Sequence, residues 1–131
     1  MQILSTFLRK EFGEDTLAKV MFEDAKNDQH QLIVIDGVRR LEDVKFLREL
    51  PEFKLCYVTA PIKTRYTRLT LRGENQDDKT KTFQQFEEDH MGEPEREITR
   101  LEPFAAEVID NSGTIPELYT QLDAILKKYR A

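Results

Sequence analysis

A single cysteine, Cys56, stands among the 131 residues, so the chain can close no internal disulfide and complete no zinc cluster. It lies in the apolar run KLCYV and is expected to be a small buried core residue. No apolar stretch approaches the roughly 20 residues that a membrane span requires, and the first residues lack the charged-then-apolar plan of a secretory signal. A cytoplasmic location without a membrane partner is expected. Positive charge is also scarce: 20 Lys and Arg face 25 Asp and Glu, for a net charge of −5 and a pI near 5.1. Such a balance gives no support for a nucleic-acid partner. The two histidines, His30 and His90, have no second His or Cys at ligand spacing; both read as solvated surface, and no metal site is expected. Glu87, Glu88 and Asp89 read as a solvated helix face rather than a metal cage. Ser5 and Ser112 are the only serines and neither sits in a nucleophile-elbow context, which leaves acyl transfer unsupported.

What is present suffices for one compact domain spanning residues 1–131, with 39% hydrophobic and 34% charged residues. Residues 3–26 place Leu4, Phe7, Leu8, Leu17, Val20 and Met21 at the three-and-four spacing of amphipathic helix, divided at Gly13. Leu32 to Ile35 form an unbroken apolar run, which suits a strand covered on both faces. Leu41 to Leu50 resume helical spacing and stop before Pro51, and residues 54–60 read as a second strand. Strand, helix, strand at this spacing predicts a parallel crossover unit and hence an α/β architecture. Residues 62–72 predict a helix with Arg65, Arg68 and Arg72 on one side. GENQDDKTKT has no apolar residue and reads as a mobile loop, followed by acidic helix interrupted near Gly92 and Pro94. EVIDN is the third strand, and a last helix runs from Pro116 to about Lys128.

The segment LIVIDGVRR ends an apolar run in an acid, a glycine and two arginines. In phosphate-transferring proteins an Asp at a buried strand end commonly lies near a metal, and arginines beyond it grip phosphate or carboxylate. The plainer alternative is that Asp36 caps the helix beginning near Leu41 or pairs with a neighbouring Arg. The arginine row on 62–72 has its own plain alternative, a solvated helix face. DNSG, residues 110–113, is also an ordinary turn, with Asn111 and Gly113 able to take positive φ.

Taken in order, LIVIDGVRR, CYVTAP with RYTRLTLR, and AAEVIDNSGTIPELYTQLDAIL resemble the phosphate-loop kinases of the nucleoside-monophosphate and dephospho-coenzyme A kinase group, over roughly residues 30–126. The resemblance implies a three-layer parallel sheet of the P-loop kinase type. It assigns Asp36, Gly37 and either Arg39 or Arg40 to the phosphate-acceptor site. Arg65, Arg68 and Arg72 would neutralise the transferred phosphoryl group. Gly73 to Thr82 would be the lid, within a lid region of 73–97, and Asn111, Ser112 and Gly113 would contact the adenine base. ATP with Mg would be the cofactors, and a nucleotide or other small phosphate acceptor the substrate.

One part of that pattern is missing. A phosphate loop requires Gly-x-x-x-x-Gly-Lys-[Ser/Thr], and none of Gly13, Gly37, Gly73, Gly92 and Gly113 is followed by Lys. The chain is therefore expected to be a kinase incomplete at its N-terminus and inactive on its own. The alternative is a degenerate, non-catalytic homologue that binds a nucleotide or serves as an interaction domain. In related kinases the missing strand lies between those corresponding to 32–35 and 54–59, so self-association through the gap is expected.

Overall fold

A computed structural model describes residues 2–73 and 78–130, and these divide into two compact units, 1–54 and 55–131.

The first unit opens with helices α1 (Gln2–Phe12) and α2 (Thr16–Asn27), which pack on each other. Gly13 separates them at φ +109°, a conformation that side chains with a Cβ rarely adopt, so the division expected at this glycine is found. The segment 41–50 is not the helix that its periodicity predicts. It forms two short 3-10 turns, Leu41–Val44 and Leu47–Glu49. Asp43 Oδ2 accepts the backbone N–H groups of both Arg39 and Arg40 at 3.0 Å, and this tight cap is followed by i-to-i+3 bonding. Val44 and Leu47, fully buried, and Ala18 of α2 form the small core of this unit.

Residues 32–39 depart further from expectation. They form no strand among the described residues, and Leu32, Ile33 and Val34 remain 51%, 40% and 80% exposed. A strand exists only when neighbours take up its N–H and C=O groups, and no described ladder reaches this run. The crossover unit expected over residues 32–60 is therefore not formed.

The parallel pair lies in the second unit instead. Strands β1 (Cys56–Thr59) and β2 (Glu107–Asp110) pair in parallel, with Cys56 opposite Glu107 and Thr59 opposite Asp110. Between them the chain forms α3 (Ile62–Arg72), α4 (Phe83–His90) and α5 (Glu93–Thr99), and α6 (Ile115–Tyr129) follows β2. The fold is thus α/β with a parallel two-stranded sheet. Local chemistry sets the helix ends. Thr82 and Thr114 cap α4 and α6 through reciprocal bonds with Gln85 and Glu117, and Gly73 closes α3 at φ +57°. Ile109 and Leu101 are buried in this unit.

Cys56 corrects another expectation, because it is exposed rather than a core residue. Only alternate positions of this short sheet can turn toward α6, and β1 has no buried residue. Partial desolvation, then the Glu107 charge, raise the thiol's pKa, so Cys56 is not an activated thiolate. No helix among the described residues is long and apolar enough to cross a membrane.

Candidate phosphate-binding cleft

The arginine row on α3 acquires a definite setting. Arg65, Arg68, Leu69 and Arg72 are spaced by three and four, so they share one helix face, and all four line a cleft of about 360 Å³ in the second unit. Val58, Thr59 and Ala60 at the carboxyl end of β1 form part of its wall, with Phe86 of α4, Glu95 of α5 and Asn111 just beyond β2. Open parallel sheets bind ligands at this end of their strands.

The three arginines have different partners. Arg68 reaches across to the loop after β2, where its two terminal nitrogens donate to the carbonyls of Asn111 and Gly113, the latter at 3.0 Å. Arg65 is drawn toward α4 and α5: its Nη2 lies 3.1 Å from His90 Nε2, and its Nη1 lies 3.9 Å from Glu95 Oε2. The Nε of Arg65 is buried and has no hydrogen-bond partner. Arg72 lines the cleft near the end of α3.

The DNSG loop is a built turn. Asp110 Oδ1 accepts from the Ser112 N–H at 2.9 Å, and the bonds from Ser112 hold the Asp110 carboxyl below its ordinary value. The Asn111 N–H extends the ladder by bonding to the Thr59 carbonyl at 2.7 Å. Neither Asn111 nor Gly113 takes positive φ, contrary to the expected reason for their presence. Gly113 is needed for proximity instead: a Cβ there would fall 2.2 Å from Glu117 Oε2, which caps α6. Of the three expected base-contact residues, Asn111 lines the cleft, while Ser112 and Gly113 contribute backbone groups to the turn.

The expected acceptor-side residues belong to the first unit. Asp36 neither caps the 41–44 turn nor pairs with an arginine; its Oδ1 accepts the N–H of Gly37, which sits at φ +85°. Arg40 is spent on structure, with Nη2 3.1 Å from Asp43 Oδ1 and Nη1 3.4 Å from Glu14 Oε2. Partial burial alone would lower its pKa, but Asp43, Glu14 and Glu42 outweigh that effect and raise it. Arg39 is exposed.

Sequence reasoning missed His90 and Glu95. His90 is not solvated surface: three quarters of its side chain is covered, and its ring stacks near Phe86 with centroids 6.5 Å apart. Phe86 and His90 are four residues apart on one face of α4, but nothing in the sequence shows that this face meets Arg65, 25 positions earlier. The other histidine, His30, is exposed and bonded to Asp28, as expected of a surface residue. Glu87, Glu88 and Asp89 are exposed, also as expected. Part of the expected lid, residues 74–77, lies outside the described residues. Of the described part, Asp78 is buried, and the Tyr66 hydroxyl donates to the Lys81 carbonyl at 2.7 Å.

No family model matches the chain. A UPF0200 protein of Thermococcus gammatolerans is 30% identical over 130 residues, covering 95% of this chain and 67% of the relative. The chain belongs to the UPF0200 protein family. A UPF0200 protein of Thermococcus kodakarensis is also 30% identical, over 94% of the chain and 68% of its own length. One from Staphylothermus marinus is 31% identical over 128 residues. That alignment takes in 98% of this UPF0200 chain but 66% of the relative, so the chain spans just under two thirds of that protein's length.

Proposed function

We propose that this chain carries the phosphate-handling part of an ATP-dependent phosphotransferase resembling the nucleotide and coenzyme A kinases, with its strands belonging to a parallel sheet of the P-loop kinase type. One observation carries the reading: Arg65, Arg68 and Arg72 line a single cleft at the carboxyl ends of two parallel strands, beside Asn111. Guanidinium groups in such a cleft suit the spread charge of a polyphosphate. In this reading Asn111, which lines the same cleft, meets the base of the nucleotide. In the first unit, Arg39 is the acceptor-side arginine, because Arg40 is committed to Asp43 and Glu14.

The arginines of the cleft suit the anionic part of ATP. Among the described residues no three His, Cys, Asp or Glu side chains are grouped to hold a metal ion, and the sequence has no Gly-Lys-[Ser/Thr] cradle. The chain alone is therefore expected to bind a nucleotide weakly and to transfer no phosphate at a kinase-like rate, since phosphoryl transfer depends on positioning and charge stabilisation by those parts. Magnesium, the cradle and the transfer to a small acceptor belong to the complete protein in this reading, and self-association belongs to the chain through its uncovered apolar run at 32–34.

A second reading, a non-catalytic nucleotide-binding homologue, is favoured by the Arg68 fork, which is spent on backbone carbonyls. Calorimetric titration with ATP tests the shared element. The wild-type chain should bind, and Arg65→Ala with Arg72→Ala should weaken binding by at least about tenfold, since a charged hydrogen bond contributes about 1.5–3 kcal/mol when desolvated. Unchanged affinity in that variant, or no binding by the wild type, contradicts the proposal. Product formation on addition of an acceptor would reject the inactive-chain reading and the non-catalytic alternative together.

A further inference from the structure

Arg65, His90 and Glu95 form a chain of contacts that joins α3, α4 and α5. Besides the Arg65 contacts given above, His90 Nδ1 lies 3.4 Å from Glu95 Oε2. Both ring nitrogens of His90 face the guanidinium, Nε2 at 3.1 Å from Nη2 and Nδ1 at 3.3 Å from Nη1. Because a guanidinium can only donate, the nitrogen that accepts from it is the unprotonated one. Nδ1 also faces Glu95 Oε2, so the ring proton serves Glu95 in the tautomer that carries it on Nδ1. In that tautomer His90 accepts from Arg65 through Nε2 and donates to Glu95 through Nδ1, which holds the carboxylate beside the guanidinium.

Two features leave Arg65 incompletely partnered within the cleft. Glu95 itself lines the cleft, so a carboxylate occupies space among three arginines. The guanidinium edge formed by Nε is also left without an acceptor although Nε is buried, a costly condition that a two-oxygen anion could relieve. We propose that Glu95, held by His90, is an internal stand-in for the ligand's anion, so that a phosphate-bearing ligand entering the cleft displaces it from Arg65. Because Glu95 and His90 sit on the two helices after the 73–82 segment, the displacement transmits ligand entry to α4 and α5. This inference rests on the phosphate reading of the cleft.

Pyrophosphate is the probe, titrated into the full 131-residue chain. Glu95→Gln should tighten binding by about three- to fivefold, the scale of one partly exposed ion pair. Glu95→Ala, a second variant that also removes the charge, should do the same. In an Arg65→Ala background Glu95→Gln should change nothing, because its effect passes through Arg65. His90→Ala should behave like Glu95→Gln, whereas His90→Gln, which keeps one donor and one acceptor, should bind like the wild type. Pyrophosphate binding that is insensitive to Glu95, or equally improved with and without Arg65, overturns this inference alone. Failure of every variant to bind pyrophosphate overturns the phosphate reading and this inference with it.

Discussion

The guanidinium of Arg68 donates to the carbonyl of Gly113 at 3.0 Å, linking the middle of α3 to the loop after β2 across 45 positions of sequence. A second donation goes to Asn111, so one planar fork holds both sides of Ser112. This arginine shapes the cleft wall as well as charging it. Replacing Arg68 with Ala should raise hydrogen exchange at residues 111–114 and lower unfolding stability by about 1 kcal/mol, the value of exposed hydrogen bonds. Lys cannot reproduce the fork, so Arg68→Lys should restore the loop only in part. Unchanged exchange in Arg68→Ala would show that the turn holds itself.

Gly113 and Glu117 make a second test. A methyl group at 113 would collide with the carboxylate that bonds the Thr114 N–H at 2.6 Å, so Gly113→Ala should break the α6 cap and cost about 1 kcal/mol in urea unfolding. Because the obstacle is a side chain, adding Gly113→Ala to Glu117→Ala should cost little more than Glu117→Ala alone. A full additive penalty would point to the backbone instead.

Acid should loosen the β2–α6 region in particular. Lys128 and then Tyr129 hold Glu107 below its ordinary 4.5, Thr114 holds Glu117 below 4.5, and Ser112 holds Asp110 below 3.8. A depressed carboxylate contributes stability that is present above its unfolded value and lost as pH falls through its folded value. Thermal unfolding followed downward from neutral pH should therefore hold steady until near 4.5 and then decline. Replacing Lys128 with Met and Tyr129 with Phe should flatten part of that decline, and an identical profile would contradict the assignment to Glu107.

The apolar run at 32–34 should make the chain self-associate. Val34 is 80% exposed, so Val34→Lys removes apolar surface at little cost to the fold. Light scattering should show a mass that rises with concentration in the wild type and less so in Val34→Lys. A strictly monomeric wild type at high concentration would contradict this expectation.

Periodicity was a good guide where a segment carried its own determinants. The helices around Gly13, the arginine helix, the break at Gly92 and Pro94 and the Pro116 helix all follow from apolar spacing and end signals that lie within the segments. It failed where the outcome depends on a partner elsewhere. Leu32–Ile35 have strand composition, yet a strand needs a ladder, and none reaches them among the described residues. The 41–50 segment has helical spacing, but the Asp43 cap tightens it into 3-10 turns. The cleft was half legible. Steps of three and four put Arg65, Arg68 and Arg72 on one face, whereas the contacts of Arg65 with His90 and Glu95 arise only when α3, α4 and α5 pack.

The central claim is that phosphate enters the cleft at the carboxyl ends of β1 and β2. Amide chemical shifts of the isotope-labelled chain, recorded during titration with ATP, test it most directly. The account expects shifts concentrated at 58–60, 65–72 and Asn111, abolished in Arg65→Ala with Arg72→Ala, and little change in α1 and α2. Shifts confined to the first unit, or a response at the cleft that survives loss of both arginines, would contradict it.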